Sequence, residues 1–292
     1  MRTSMEPVNG YQLILERYEG FSKSQKRVAD YVVTHLHEVL YFPMARLVDD
    51  VGVSQATIVR FAQSLGFDGF NGLRDSLLAH YRENFAPEGR MRHSIRDTGK
   101  ESLSYRNITR DCIAFLEQSI SSIDERVLQG AAAAVGSASR VYVYGQGPDG
   151  PLAAELQFRL RRLSLDTVHV ADSGRPMLEH LLRLEKSDVA VLYSFANPST
   201  DFLRLMRILR DRKVPAVLIT DQRTPPVIRQ AAYLLQADRG PRGTFPSPLV
   251  PMAITYALIL SVADRLGPRA LKALKTLGDL RATYYDQDAS KA

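Results

Sequence analysis

Two loops and one helix hold the residues whose types and spacing could do chemistry. The first loop, Gly145-Gln146-Gly147-Pro148-Asp149-Gly150, follows the apolar run RVYVY (140–144) and precedes a helical pattern that starts near Pro151. It matches G-x-G-x-x-G in the strand-to-helix context where backbone N–H groups can cradle an anion. Gly145, Gln146 and Gly147 would offer that backbone, while Asp149 brings a carboxylate that repels phosphate. Pro151 and Leu152 stand where a Walker A loop needs Lys and Ser or Thr, which excludes that motif. The second loop, Ser194 to Asp201, follows the buried run DVAVLY (188–193). With strand order 2-1-3-4-5, both loops lie at the C-terminal ends of neighbouring strands, at the switch point where open α/β sheets bind ligands. Ser194, Asn197, Ser199 and Thr200 would line that crevice. The plainer reading stays open: the glycines make a tight turn, and Pro198, Ser199 and Thr200 start a helix.

The helix is carried by LVDDVGVSQATIVRFAQSLGF (47–67). Gly52 sits where a turn between two helices needs a residue at ease in the left-handed region. Ser54 is a good N-cap. Ile58, Phe61, Ala62 and Leu65 follow i, i+3, i+4, i+7 and form a buried stripe. The opposite face presents Ala56, Arg60 and Gln63, with Gln55 and Thr57 beside it. That surface suits a major groove: Arg60 can pair with guanine or a phosphate, and Ser54 and Thr57 would meet phosphates at the helix N-terminus. Two short helices joined at a glycine also occur in ordinary helical domains.

The elements that must position these groups fall into two halves. Residues 1–81 read as helices only, with stripes over 22–33, Met44–Val51, 55–65 and 70–81. Residues 82–106 are rich in charge, carry Pro87, Gly89 and Gly99, and read as a partly helical linker. From 107 to 285 the pattern alternates. Helices are expected over 107–122 and 124–136, then strands at 140–144, 167–170, 188–193, 216–220 and 233–236. Helices at 151–163, 175–184, 198–212 and 225–230 separate the strands. The fold class is therefore an all-α helix-turn-helix domain followed by a doubly wound, five-stranded parallel α/β domain.

The 292 residues carry 45% hydrophobic and 24% charged side chains with one cysteine, Cys112. This excludes a disordered chain, a disulfide framework and a cysteine-based zinc site, and it fits a reducing cytoplasm. No metal ligand cluster and no cofactor are expected. Pro246, Pro248 and Pro251 limit the longest uncharged stretch, 244–263, to a helix over Met252–Ala263, too short for a membrane span of ~20 residues. The net charge of +6 suggests a polyanion. By segment, however, 1–80 holds eight basic and nine acidic residues, 81–112 seven and five, and 113–292 twenty-three and eighteen. The helix-turn-helix half is not the basic one; its cations Lys23, Lys26, Arg27, Arg46 and Arg60 are placed rather than massed.

SQKRVADYV (24–32) and VSQATIVRFAQSLGFDGFNGLR (53–74) resemble the first long helix and the recognition helix of the RpiR family of bacterial transcription regulators. In that family a helix-turn-helix domain precedes a sugar isomerase (SIS) domain, and the resemblance covers nearly the whole chain. It implies a double-stranded DNA operator, a small-molecule effector and a homodimer or homotetramer. The family's first SIS loop reads G-x-G-x-S, with the serine on a sugar phosphate; here that place holds Asp149. The second reads S-x-S-G-x-T; Ser194 and Ser199 keep two hydroxyls, while Ala196 and Asn197 replace the middle pair. The effector expected is a sugar phosphate or a related carbohydrate-like metabolite, and these departures point to one that lacks phosphate or turns a cationic or hydroxyl group towards Asp149.

Two other functions compete. A redox-sensing repressor would use the glycine loop for NAD(H), with Asp172 on a ribose, but the sheet is one strand short of two mononucleotide halves. A sugar-phosphate isomerase would need a placed acid and base. His169, His180, Glu155 and Glu179 show no recognisable spacing. The expectation is a regulator and not an enzyme.

Overall fold

Capping chemistry sets where the first helices start. In the computed structural model, which describes residues 9–84, 86–97, 104–195, 198–222, 228–240 and 245–289, α1 (Gly10–Glu16) begins at Asn9, whose side chain accepts from Tyr11 and Gln12 N–H. Ser22 and Gln25 close a capping box on α2 (Lys23–Thr34). There follow α3 (Leu36–Tyr41), α4 (Met44–Val51), α5 (Gln55–Ser64), α6 (Phe70–Asn84) and α7 (Pro87–Asp97). Their apolar faces meet in one core that includes Ile14, Val28, Val32, Leu47, Ile58, Phe61, Leu73 and Leu77. The short α1 and α3 were not expected, because six or seven residues are too few to show a helical period. α7 occupies part of the segment read as a linker.

The chain divides into two compact units, one of 1–108 with 240–246 and another of 109–239 with 247–292. The second half of the chain starts with α8 (Tyr105–Ile120) and α9 (Glu125–Ser137), the latter capped by Asp124. The α/β alternation then runs β1 (Val141–Tyr144), α10 (Gly150–Arg162), β2 (Thr167–Val170), α11 (Arg175–His180), β3 (Val189–Tyr193), α12 (Thr200–Asp211), β4 (Ala216–Thr220) and β5 (Tyr233–Gln236). α13 (Leu249–Leu266) and α14 (Pro268–Ala289) end it. All strands are parallel, in the order β2-β1-β3-β4-β5, with Val141 opposite both Thr167 and Val189.

The strands alternate their side chains between two buried faces, which is why they read as unbroken apolar runs. Val141, Val143, Val191, Val217 and Ile219 pack with α9, α10 and α13. Tyr142, Tyr144, Ala190, Leu192 and Leu218 face α11 and α12.

Several boundaries differ from expectation, three of them in ways that bear on the core or the site. α11 ends at His180, and Leu181 and Leu184 reach the core from a turn instead. The helix expected from 198 starts at Thr200. α13 extends beyond Met252–Ala263 at both ends to eighteen residues, with Pro251 in its first turn, where the missing N–H costs no hydrogen bond. By length and composition α13 could cross a membrane, yet Val250, Ile254, Leu258 and Val262 are buried in the sheet's core. Half of the helix expected at 225–230 lies outside the described residues.

Candidate functional site

In the first unit, the turn between α4 and α5 is built as its sequence implies. Gly52 adopts φ +67° and ψ +41°, and its N–H closes on the Val48 carbonyl. The Arg27 guanidinium donates to the Val51 carbonyl and so ties α2 to the turn. Ser54 Oγ accepts the Thr57 N–H at 3.2 Å and lies 2.9 Å from Thr57 Oγ1. Ile58, Phe61, Ala62 and Leu65 are buried. Ser54, Gln55, Ala56, Arg60 and Gln63 are exposed, and Thr57 is half-buried. The five small or polar groups thus share an open helix face.

The cations around this face divide. Lys26 is 3.1 Å from Glu19, Arg46 is 3.6 Å from Asp50 and stacks on Phe42, and Arg27 is used inside the turn. Lys23 and Arg60 have no ion pair among the described residues. Sequence reading could not assign Arg27 this structural role, because its partner is a backbone carbonyl 24 positions away.

In the second unit the crevice lies beyond the C-terminal ends of β1 and β3, which are neighbours as expected. Gly145 is buried, and a Cβ on it would come within 2.8 Å of the Asp149 carbonyl and of Ala153 Cβ. The loop is therefore a close approach of strand to helix. Gly147 takes φ +54° in the short turn to Asp149. Gln146 donates to the Asp172 carbonyl at 2.7 Å, and Asp172 also meets His180. Their spacing gave no sign of this carboxylate–imidazole pair.

Asp149 turns inward. Its Oδ2 accepts the Phe195 N–H at 3.3 Å, and its Oδ1 lies 3.8 Å from Arg239. Arg239 donates to Asp221 at 3.1 Å and stacks 4.3 Å from the Phe195 ring centre. Burial pushes the Asp149 carboxyl up to about 6, against the pull of Arg239 and the Phe195 N–H and with Asp221 pushing the same way. The anion held by these donors is the protein's own carboxylate. Arg239 and Asp221 were missed in the sequence, although each follows a strand, β5 or β4, and the ends of all parallel strands face one rim.

The serines of the second loop are less free than expected. Ser194 is buried, its N–H bonded to Ile219. Ser199 caps α12 by accepting from Phe202 N–H at 3.1 Å and lies 3.3 Å from the Tyr144 hydroxyl. Thr200 is exposed in the first turn. Asn197, with Ala196, lies outside the described residues. Desolvation, with Asp201 and Asp149 acting in the same direction, raises the Tyr144 hydroxyl to about 12, so it stays a neutral donor. Gln222, just past β4, has a buried amide nitrogen with no partner among the described residues. The crevice can therefore offer neutral donors, two carboxylates and one guanidinium already engaged by both.

Residues 8–84 match the model of the helix-turn-helix domain of the rpiR family, and residues 136–266 match that of the SIS domain. An uncharacterized HTH-type transcriptional regulator of Clostridium perfringens is 24% identical over 226 residues, covering 76% of this chain and 80% of the relative. One from Haemophilus influenzae is 24% identical over 75% of this chain and 76% of its own length. Among solved structures, the sugar isomerase domain of an RpiR transcription factor from Sphaerobacter thermophilus aligns with a TM-score of 0.56 and 24% identity, over 60% of this chain and 97% of that one. The Vibrio vulnificus NanR protein, solved with ManNAc-6P, aligns with a TM-score of 0.58 and 18% identity, over 94% and 99% of the two chains.

Proposed function

We propose, from the matches to the rpiR-family helix-turn-helix model and the SIS model, that the chain is a regulator of that family, which binds an operator and senses a small carbohydrate-like metabolite without catalysing a reaction. The reading divides the chain into a DNA-binding part, 1–81, a linker, 82–106, and an effector part, 107–285, at work in the cytoplasm as a homo-oligomer. The observation that carries it is the α5 surface, where Gln55, Ala56, Arg60 and Gln63 stand open opposite a fully buried stripe. Such a helix places base-reading side chains in a major groove while Ser54 and Thr57 meet phosphates.

Genome-wide mapping of bound sites would supply the operator. Arg60→Ala should then weaken specific binding by about 1–3 kcal/mol and relax the preference at one base pair. Unchanged affinity would remove Arg60 from the reading face.

NanR was solved with a sugar phosphate, and a related carbohydrate is the natural effector class here. Asp149 argues against the phosphate. Its carboxylate already takes the Phe195 N–H and the Arg239 guanidinium that would otherwise meet an oxyanion. A dianion at that point would face both Asp149 and Asp221. A hydroxyl or ammonium group would instead gain an acceptor. Calorimetric titration with hexose phosphates and their dephosphorylated counterparts tests this, and the expected order favours the uncharged or amino sugar. Tighter binding of a hexose phosphate would overturn it. A dinucleotide is disfavoured by the same carboxylate and by the five-stranded order.

A further inference from the structure

A second site lies away from the crevice, where the last turn of α10 meets α14. The groove there has a volume of about 540 Å³, within the size range of small-molecule pockets. Arg161, Arg162, Arg269, Lys272 and Arg281 line it, and no acidic residue does. None of the five has an ion pair or a hydrogen bond to its cationic group among the described residues. The Arg162 Nε is buried without a partner, and its guanidinium sits 5.6 Å from the Phe158 ring centre.

Ordinary helix electrostatics accounts for part of this, since arginines in the last turn of α10 complement its dipole. It does not account for α14. Arg269 and Lys272 lie in that helix's first two turns, where the dipole disfavours cations. With Arg281, which at about 100° per residue leaves the helix on the side opposite Lys272, they flank a groove roughly 18 Å long at 1.5 Å per residue. Five cations held together without counter-ions repel one another, and a bound anion would relieve that repulsion.

The shape narrows the ligand. A single phosphate spans only a small part of a groove roughly 18 Å long with cations on both flanks, so a ligand with several anionic groups fits better. The remaining lining is apolar or hydroxylic: Phe158, Leu277 and Leu280, with Ser164 and Thr276. A bare phosphate chain would leave Phe158 and Leu280, both exposed, uncovered. A flat apolar body would cover them, and arginine beside an aromatic ring favours stacking. We propose that this groove binds a nucleotide-type ligand, its phosphates among the cations of α10 and α14 and its base over Phe158 and Leu280. This proposal does not depend on the effector assigned to the strand-end crevice.

Titration calorimetry on the full chain with ATP, adenosine and inorganic pyrophosphate is the test. ATP should bind saturably, one per chain, and the other two at least tenfold more weakly. The double variant Arg269→Gln/Lys272→Gln should lose tenfold or more in ATP affinity, while Arg269→Lys/Lys272→Arg keeps it. Both residues are exposed, so an unchanged thermal midpoint separates lost binding from lost folding. No saturable ATP binding, equal binding of pyrophosphate, or ATP binding indifferent to the Gln pair would each overturn the proposal. So would a Gln pair that weakens duplex DNA binding in a chain that ignores ATP.

Discussion

Asp149 shows how one residue changes the meaning of a motif. By sequence it is a repulsive charge in an anion loop; in the fold it is the loop's own anion. Its carboxyl is raised from 3.8 to about 6, with burial the largest cause. The folded state therefore holds the proton more tightly than the unfolded chain. The sign follows from linkage: stability is greatest below the unfolded value and declines as pH rises through about 6. Asp149→Asn keeps an acceptor for the Phe195 N–H and removes the titration. The wild type should lose about 1–3 kcal/mol relative to this variant between about pH 4 and pH 7. Paired urea unfolding curves at the two pH values would measure it. A constant gap between the two proteins would show that Asp149 does not titrate in this range.

At the scale of elements, the helix-turn-helix was legible because each of its signals is local. Gly52, Ser54 and the 58-61-62-65 stripe act within one turn of themselves, and α4 and β2, β4 and β5 fall on the expected residues. What escaped depends on distance in sequence. Arg27 meets the Val51 carbonyl 24 positions away, and Arg239 meets Asp149 across the crevice rim. Ser194 looked like a lining residue, but strand pairing with β4 buries it. α11 stops at His180, and Leu181 and Leu184 reach the core from beyond its end, although their spacing from Met177 would suit a continued helix. Gly52→Ala tests the local logic. A Cβ there would lie 2.7 Å from Arg27 Nη2 at a left-handed φ. The backbone conformation alone costs about 1–2 kcal/mol, and displacing Arg27 adds to it. The expected result is a lower thermal midpoint together with weaker operator binding. An unchanged midpoint would mean the turn relaxes without help from Arg27.

For the whole molecule, charge placement decides how DNA binding works. The chain carries +6, but residues 1–80 carry one more acidic than basic residue. Within that region the fold consumes three of the five candidate cations, leaving Lys23 and Arg60 without ion pairs among the described residues. Two cations and one helix N-terminus are few contacts for a duplex, whose affinity comes mainly from released counter-ions. One α5 face should therefore bind weakly, and useful affinity should come from two copies reading half-sites about 34–36 Å apart. Large apolar side chains exposed in the second half, Ile113, Ile120, Tyr256 and Leu260 among them, offer material for that pairing. The full chain should bind a two-half-site operator on the order of a hundredfold more tightly than a single half-site, an effect of effective concentration. Its salt slope should be shallow, roughly −2 per half-site if Lys23 and Arg60 each neutralise one phosphate. Fluorescence anisotropy with both duplexes between about 50 and 200 mM salt reads both quantities. Equal affinity for the two duplexes, or a slope near about −10 on one half-site, would place the binding energy elsewhere than on these two cations and a paired α5.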